Sequence, residues 1–396
     1  MTTSSQRQAK PLHLVWVYPV PVATALDSAT WLQTTHVLRT LGWQVTLVAK
    51  GPTGQHTING VQVTCVSTPA KYLLNNVMFH LWVLLLILRG WRTIDVVLFH
   101  QLSAPWFLPL RLVRLLSSRQ RPQFVMDTRD LNTVEGGLKN RIRRVYFDLT
   151  HALANRWADG QTAITERMAE LVRIPAAKRW GYWPSGVSLE RFAGAHTGRR
   201  WPTAAEPVHL MYVGKLHSER NLLPICRAVD EANQRGMHFV LTFVGAGPEQ
   251  AILEACAAQS EGRICVLPAV SHEQIPQLLR NAHVGITSLP APDDAKFEAS
   301  SPIKLFEYMA AGIPMLATSN GCHTDVVGAG RYAFWVHEVS PDGILRALTE
   351  INDAKLTLAE RGEEARHAVL AWTWSAAGAQ LDGALRAGLR GALAPA

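Results

Sequence analysis

Residues 297–317, FEASSPIKLFEYMAAGIPMLA, read as three successive parts. Small polar residues and a proline open the stretch: Ser300, Ser301 and Pro302. A helix-like run follows, with Ile303, Leu305, Phe306, Met309 and Ala310 apolar and one carboxylate, Glu307, among them. Gly312 stops the helix, and Pro314 leads into a short apolar run that reads as a buried strand. A loop of small residues feeding a helix start is an anion site, because the first backbone N–H groups are unpaired and the helix dipole favours negative charge. Lys304 stands in that first turn. A cation is unfavourable there unless an anion lies between, so it points to a bound phosphate. An ordinary loop–helix–strand unit is the competing reading of this stretch taken alone.

The chain has 396 residues, enough for two domains with full cores. Five scattered cysteines lack any CxxC or Cys/His spacing and read as reduced core thiols, without a structural zinc. The polar start, MTTSSQRQAK, is not followed by a signal-type apolar core. The most apolar run, residues 77–88, is shorter than the roughly 20 residues a spanning helix needs. Charge is uneven: residues 1–195 hold 22 Lys and Arg against 10 Asp and Glu, the remainder 17 against 21. A basic half beside a mildly acidic one suggests two domains with different partners.

In the first half, residues 12–17, 45–49, 95–100 and 123–127 read as strands, alternating with helices over 30–41 and 106–116. That rhythm predicts a doubly wound α/β sheet, with ligands at the carboxyl ends of its strands. The loop 19–28 holds no GxGxxG, so no dinucleotide cofactor is expected. Large apolar residues alternate with cations on two helices: Trp106, Arg111 and Arg114 on one, Lys139, Arg141, Arg143 and Arg144 on the next. This is what an interfacial helix needs, apolar side chains entering the lipid boundary while cations meet anionic head groups. An anionic membrane surface is therefore the expected partner of this domain. No recognition motif with stacking aromatics is present, so nucleic acid is not. Asp127, Arg129 and Asp130 close a strand, where charges suit a site; Arg129 and Asp130 are candidates for it.

In the second half, residues 209–213 restart the alternation. Gly214 permits close backbone approach, and Lys215 and Arg220 flank the turn after it, placed to hold a diphosphate from two sides. Residues 239–244 form a strand ending at Gly245 and Gly247, which leave backbone bare for a flat ring. Strands at 264–267 and 284–289 precede the opening stretch.

This order of parts resembles the family 4 glycosyltransferases, of the type that builds bacterial polysaccharides and lipid-linked sugars. The resemblance covers nearly the whole chain and is most specific in PIKLFEYMAAGIPMLA; Asp127–Asp130 fits the same subgroup. It implies a GT-B fold, two Rossmann-like domains facing a central cleft. The domains would be residues 1–195, for the acceptor, and 204–371, for the nucleotide-sugar, with a C-terminal helix over 372–396 packing back on the first. By the same resemblance Glu307 bonds the ribose hydroxyls of a UDP- or GDP-linked donor. Lys215 and Arg220 hold the diphosphate, with Gly214, Lys304 and the backbone at Ser301, Pro302 and Ile303. Gly245 and Gly247 frame the base. The nucleotide-sugar is a substrate; no cofactor or metal is implied. The family commonly transfers with retention, to a lipid-linked or glycan acceptor, at the cytoplasmic face of the membrane. One departure stands out: the family's E-x7-E pattern wants a carboxylate at position 299, where this chain has Ala299, and Glu298 lies one residue early. Two other classes compete, a non-hydrolysing nucleotide-sugar epimerase of the same fold and a non-catalytic glycan- or membrane-binding relic.

Overall fold

Along Leu12–Tyr18 (β1), Leu14, Trp16 and Tyr18 alternate with Val15 and Val17, and both sets are buried. A strand buried on two faces belongs to the middle of a parallel sheet covered on both sides. In this computed structural model, residues 10–22, 28–69, 72–115, 122–131, 137–287, 289–290 and 294–393 are described. Residues 23–27, most of the loop after β1, and the side chain of Lys139 lie outside that set.

Further strands follow at Trp43–Lys50 (β2), Gly54–Ile58 (β3), Val61–Val66 (β4), Val96–His100 (β5), Gln123–Thr128 (β6), Gly160–Ala163 (β7) and Arg179–Tyr182 (β8). With β1 they make an eight-stranded sheet in the order β3-β4-β2-β1-β5-β6-β7-β8. It is parallel except for β3, which pairs antiparallel with β4 at the edge. On one face, Phe79, Val83 and Ile87 of helix Tyr72–Arg89, Phe107 and Leu110 of helix Ala104–Leu115, and Ala154 and Trp157 of helix Gly137–Trp157 share a core with Val15, Val17 and Phe99. On the other, Trp31 and Leu38 of helix Ser28–Thr40 and Leu381, Leu385 and Leu389 of helix Trp374–Leu393 pack on Leu14, Trp16 and Leu47. Trp180 fixes that last helix, its ring lying against both Gly160 and Gly388, where a Cβ would come within 2.1 and 2.0 Å of it. Trp43 Nε1 also donates to Asp382, at 2.6 Å. None of the helices, among the described residues, is long and apolar enough to cross a membrane.

The second unit contains Val208–Val213 (β9), Phe239–Val244 (β10), Ile264–Leu267 (β11), Val284–Ile286 (β12), Met315–Thr318 (β13) and Ala333–Val336 (β14). These form one parallel sheet in the order β11-β10-β9-β12-β13-β14. The strand order reverses between β9 and β12, the place where open sheets of this kind leave a crevice. The chain enters this unit at Ser185 and leaves it at Thr373. Residues 185–195, read from sequence as part of the first domain, thus belong to the second. Val187, Phe192 and Ala195 are buried in its core, and Val187 N–H donates to Trp372 O at 3.0 Å.

Helix Ile303–Ala310 lies across the reversal, as residues 297–317 predict. Phe306, Tyr308 and Met309 are fully buried, and Phe306 stacks on Trp372 with centroids 5.3 Å apart. The Tyr308 ring sits on Gly285 so closely that a Cβ there would meet it at 2.5 Å. Its hydroxyl accepts from Val213 N–H (3.2 Å) and donates to Ile286 O (3.0 Å), tying the ends of β9 and β12 together. Gly285→Ala forces ring and strand apart. We expect it to cost about 1–3 kcal/mol, as overpacking of a full core does. Chemical denaturation of the full chain checks this; an unchanged midpoint contradicts the packing described.

Candidate functional site

Loops from either side of the β9/β12 reversal meet above helix Ile303–Ala310. Asn221 Nδ2 donates to Leu289 O at 2.7 Å, and Leu289 N–H donates to Arg220 O at 3.3 Å. Lys296 pairs with Glu219 at 3.1 Å, while the Arg220 guanidinium lies over the Phe297 ring, 5.2 Å from its centre. The helix start has no side-chain cap, so its first N–H groups are offered to a ligand. One correction to the expected cradle follows. Pro302 has no N–H to give. The Ser301 hydroxyl accepts from Ser185 N–H at 3.0 Å and so anchors the incoming chain.

Lys304 is half-buried over Gly214 and the Tyr212 ring. Gly214 has a φ of +147°, and a Cβ on it would lie 2.6 Å from Lys304 Nζ. Burial pushes the Lys304 amine down to about 8, the Arg220 charge pushes the same way, and Glu307 opposes both. Two cations facing each other at an uncapped helix start make a place for an anion. Lys215 is exposed beside them, its carbonyl accepting from the Tyr212 hydroxyl at 2.8 Å. Glu307 lies one turn along from Lys304 on the same helix face. It is buried, and its Oε1 accepts from His272 Nε2. His272 was not singled out from sequence; its only local signal is a polar turn, Ser271–Gln274, opening helix Ile275–Leu279.

Gly245 and Gly247 have another explanation than a flat ring. A Cβ on Gly245 would meet Gly214 O at 1.8 Å, and one on Gly247 would meet Leu216 O at 2.0 Å. They are glycines so that the loops after β9 and β10 can lie backbone on backbone. Glu298 is engaged as well: its carboxylate accepts from Gly321 N–H at 3.0 Å, at the start of helix Gly321–Val327. Ala299 is fully buried, in a spot where a carboxylate would lack water.

In the first unit, charges gather at the carboxyl ends of β5 and β6. Gln101 Nε2 donates to Asp130 Oδ1 at 2.7 Å and to its carbonyl at 3.1 Å, and His100 Nε2 stands 3.7 Å from the same carboxylate. The Asp130 side chain remains 64% exposed. Arg129 instead stacks on the Trp183 ring, 3.6 Å from its centre, and donates to Trp183 O at 3.0 Å. It supports the turn. Asp127 is buried, accepting from Thr162 Oγ1 (2.6 Å) and Trp183 Nε1 (2.8 Å).

Of the expected membrane residues Arg114 is corrected, being buried, and Arg111 and Trp106 have partners within the unit while staying partly exposed. Arg111 and Arg114 both pair with Asp159, Arg111 at 2.5 Å, and Arg114 is buried. Trp106 stacks flat on the buried His80, centroids 4.8 Å apart. Their helix, packed on its neighbours, turns other residues outward. Arg143, with Arg141 and Arg144, is exposed. The exposed apolar residues of the same helix layer are Leu74, Met78, Leu81, Leu85 and Leu88 on one helix and Leu138, Ile142, Val145 and Leu149 on another. Both sets step by three and four residues, a continuous stripe on each helix.

The family model described as glycosyl transferases group 1 matches residues 207–353, and that described as glycosyl transferase 4-like domain matches residues 28–180. No curated protein matches the sequence. Among solved structures, the fold is similar to sucrose-phosphate synthase from Thermosynechococcus elongatus, at 15% identity and TM-score 0.72, over 94% of this chain and 97% of that one. Anabaena HepE in complex with UDP-glucose is similar at 13% identity and TM-score 0.66, over 94% and 98%. Starch synthase IV from Arabidopsis thaliana, bound to ADP and acarbose, is similar at 11% identity and TM-score 0.67, over 96% and 100%. Two doubly wound sheets, with the two halves of one enzyme family matched in order along them, identify the chain as a glycosyltransferase of the family 4 type, with the GT-B fold.

Proposed function

We propose that the protein transfers a sugar, with retention, from a UDP- or GDP-linked donor to a lipid-linked or glycan acceptor at the surface of an anionic membrane. The observation that carries the donor half is the Lys304–Arg220 pair over the uncapped start of helix Ile303–Ala310. The diphosphate lies there, with Lys215 closing over it. Glu307 accepts from the ribose hydroxyls. A relative of this fold holds UDP-glucose and another ADP, which agrees with a nucleoside diphosphate. In the reaction the anomeric C–O bond to phosphate breaks and a bond to the acceptor oxygen forms on the same face. The acceptor's proton passes to the departing phosphate, whose growing charge Lys215, Arg220 and Lys304 balance; these cations do the work a divalent metal does elsewhere. In this reading Asp130, exposed and bonded to Gln101, binds an acceptor hydroxyl. An epimerase of the same fold is the second reading; the outward stripes, which a soluble substrate does not call for, favour transfer.

Those stripes carry the membrane half. Leu81, Leu85, Ile142 and Val145 are 52–62% exposed beside Arg141, Arg143 and Arg144. Apolar stripes edged by cations fit an anionic bilayer surface.

Incubating the protein with UDP- and GDP-sugars and a bacterial lipid extract, with product mass read by mass spectrometry, tests the reaction. Glu307→Ala is expected to lower kcat/KM about 100-fold, the loss of charge-assisted bonds to the ribose. Sugar transfer to no lipid or glycan contradicts the proposal. Nucleoside diphosphate affinity should be flat below pH 8 and fall by up to about tenfold per unit above it, because only the protonated Lys304 amine, with its pKa of about 8, attracts the phosphate. Lys304→Met should flatten that profile; a profile unchanged by the substitution contradicts the assignment. Finally, the protein should sediment with phosphatidylglycerol vesicles, less so in salt. Leu81→Glu with Ile142→Glu should abolish this, whereas equal partition onto neutral vesicles sinks the membrane half.

A further inference from the structure

A buried carboxylate needs a partner, and Glu307 has one hydrogen-bonding side chain among the described residues, His272. The ring is held from behind as well. Arg191, in helix Leu189–Phe192, places Nη1 against His272 Nδ1. A guanidinium can only donate, so Nδ1 must accept, and the neutral ring keeps its proton on Nε2. That proton points at Glu307 Oε1. The turn carrying His272 is fixed in its own right, for Ser271 N–H (3.0 Å) and Oγ (3.1 Å) both donate to Gln274 Oε1. Arg191, His272 and Glu307 thus form a directed relay, Arg191 donating to His272 and His272 to Glu307, that ends on a single carboxylate oxygen.

We infer that His272 is the positioning residue for donor recognition: it holds Glu307 by Oε1 so that Oε2 faces the ribose diol, and Arg191 sets the tautomer that allows it. The inference rests on the donor reading above and adds to it the residues that make a buried carboxylate selective for ribose. The His272 side chain is 41% exposed and that of Glu307 8%. The charges nearest the relay are those of Lys304 and Arg191.

The test is calorimetric titration of the full chain with UDP, GDP and ADP and with their 2′,3′-dideoxy counterparts. For whichever ribonucleotide binds, His272→Leu should weaken affinity about tenfold, the effect of one charge-assisted hydrogen bond, and leave the dideoxy form unchanged. His272→Gln should recover most of the loss, because its amide N–H reaches the position of Nε2. Arg191→Met should fall between the two. Equal weakening of ribo and dideoxy forms by His272→Leu, or no weakening, overturns the inference. If wild-type protein binds ribo and dideoxy forms alike, it is overturned while the donor reading stands. If none of the three diphosphates binds, both fall.

Discussion

The site depends on one contact, the Tyr308 ring resting on Gly285 with its hydroxyl shared between Val213 and Ile286. Val213 and Ile286 end the two strands where the sheet order reverses. A helix held there by a buried aromatic cannot slide or tilt without unpairing a buried N–H and a carbonyl. Lys304 and Glu307, on the same helix, are therefore fixed relative to the loops after both strands. Burial raises the Tyr308 phenol well above its usual range, so the bridge keeps its proton at any pH the protein meets.

Rigid placement lets the helix hold an arrangement that is unfavourable by itself. Lys304 and Arg220 face each other over a helix start that already favours negative charge, and burial weighs against the Lys304 proton. Glu307 relieves this only in part, its pull on the Lys304 proton being smaller than the effects of burial and of Arg220. In the proposed reaction a diphosphate would offset this crowding of positive charge, and donor binding and stabilisation of the departing phosphate would draw on the same groups.

The sequence foretold the two alternating sheets, the helix over 303–310 and its carboxylate, because each rests on local periodicity and on a stop at Gly312. What it missed rests on distant pairing. Arg111 and Arg114 look like lipid-facing cations until Asp159, more than forty residues on, takes both. Arg129 has the spacing of a site residue but stacks on Trp183, 54 residues away. At Gly245 and Gly247 the sequence could not show the packing reason for glycine, the carbonyls of Gly214 and Leu216 that leave no room for a side chain. The short strands β7 and β8 lack a clear apolar run of their own and are defined by their neighbours. His272 had no pattern to mark it, since its meaning comes from Glu307, 35 residues later.

A crystal structure with UDP or GDP bound tests the central claim most directly. The β-phosphate should lie within hydrogen-bond distance of Lys304 Nζ and the first N–H groups of helix Ile303–Ala310, with both ribose hydroxyls on Glu307. Nucleotide density away from that helix start, with Lys304 and Glu307 untouched, would contradict the account.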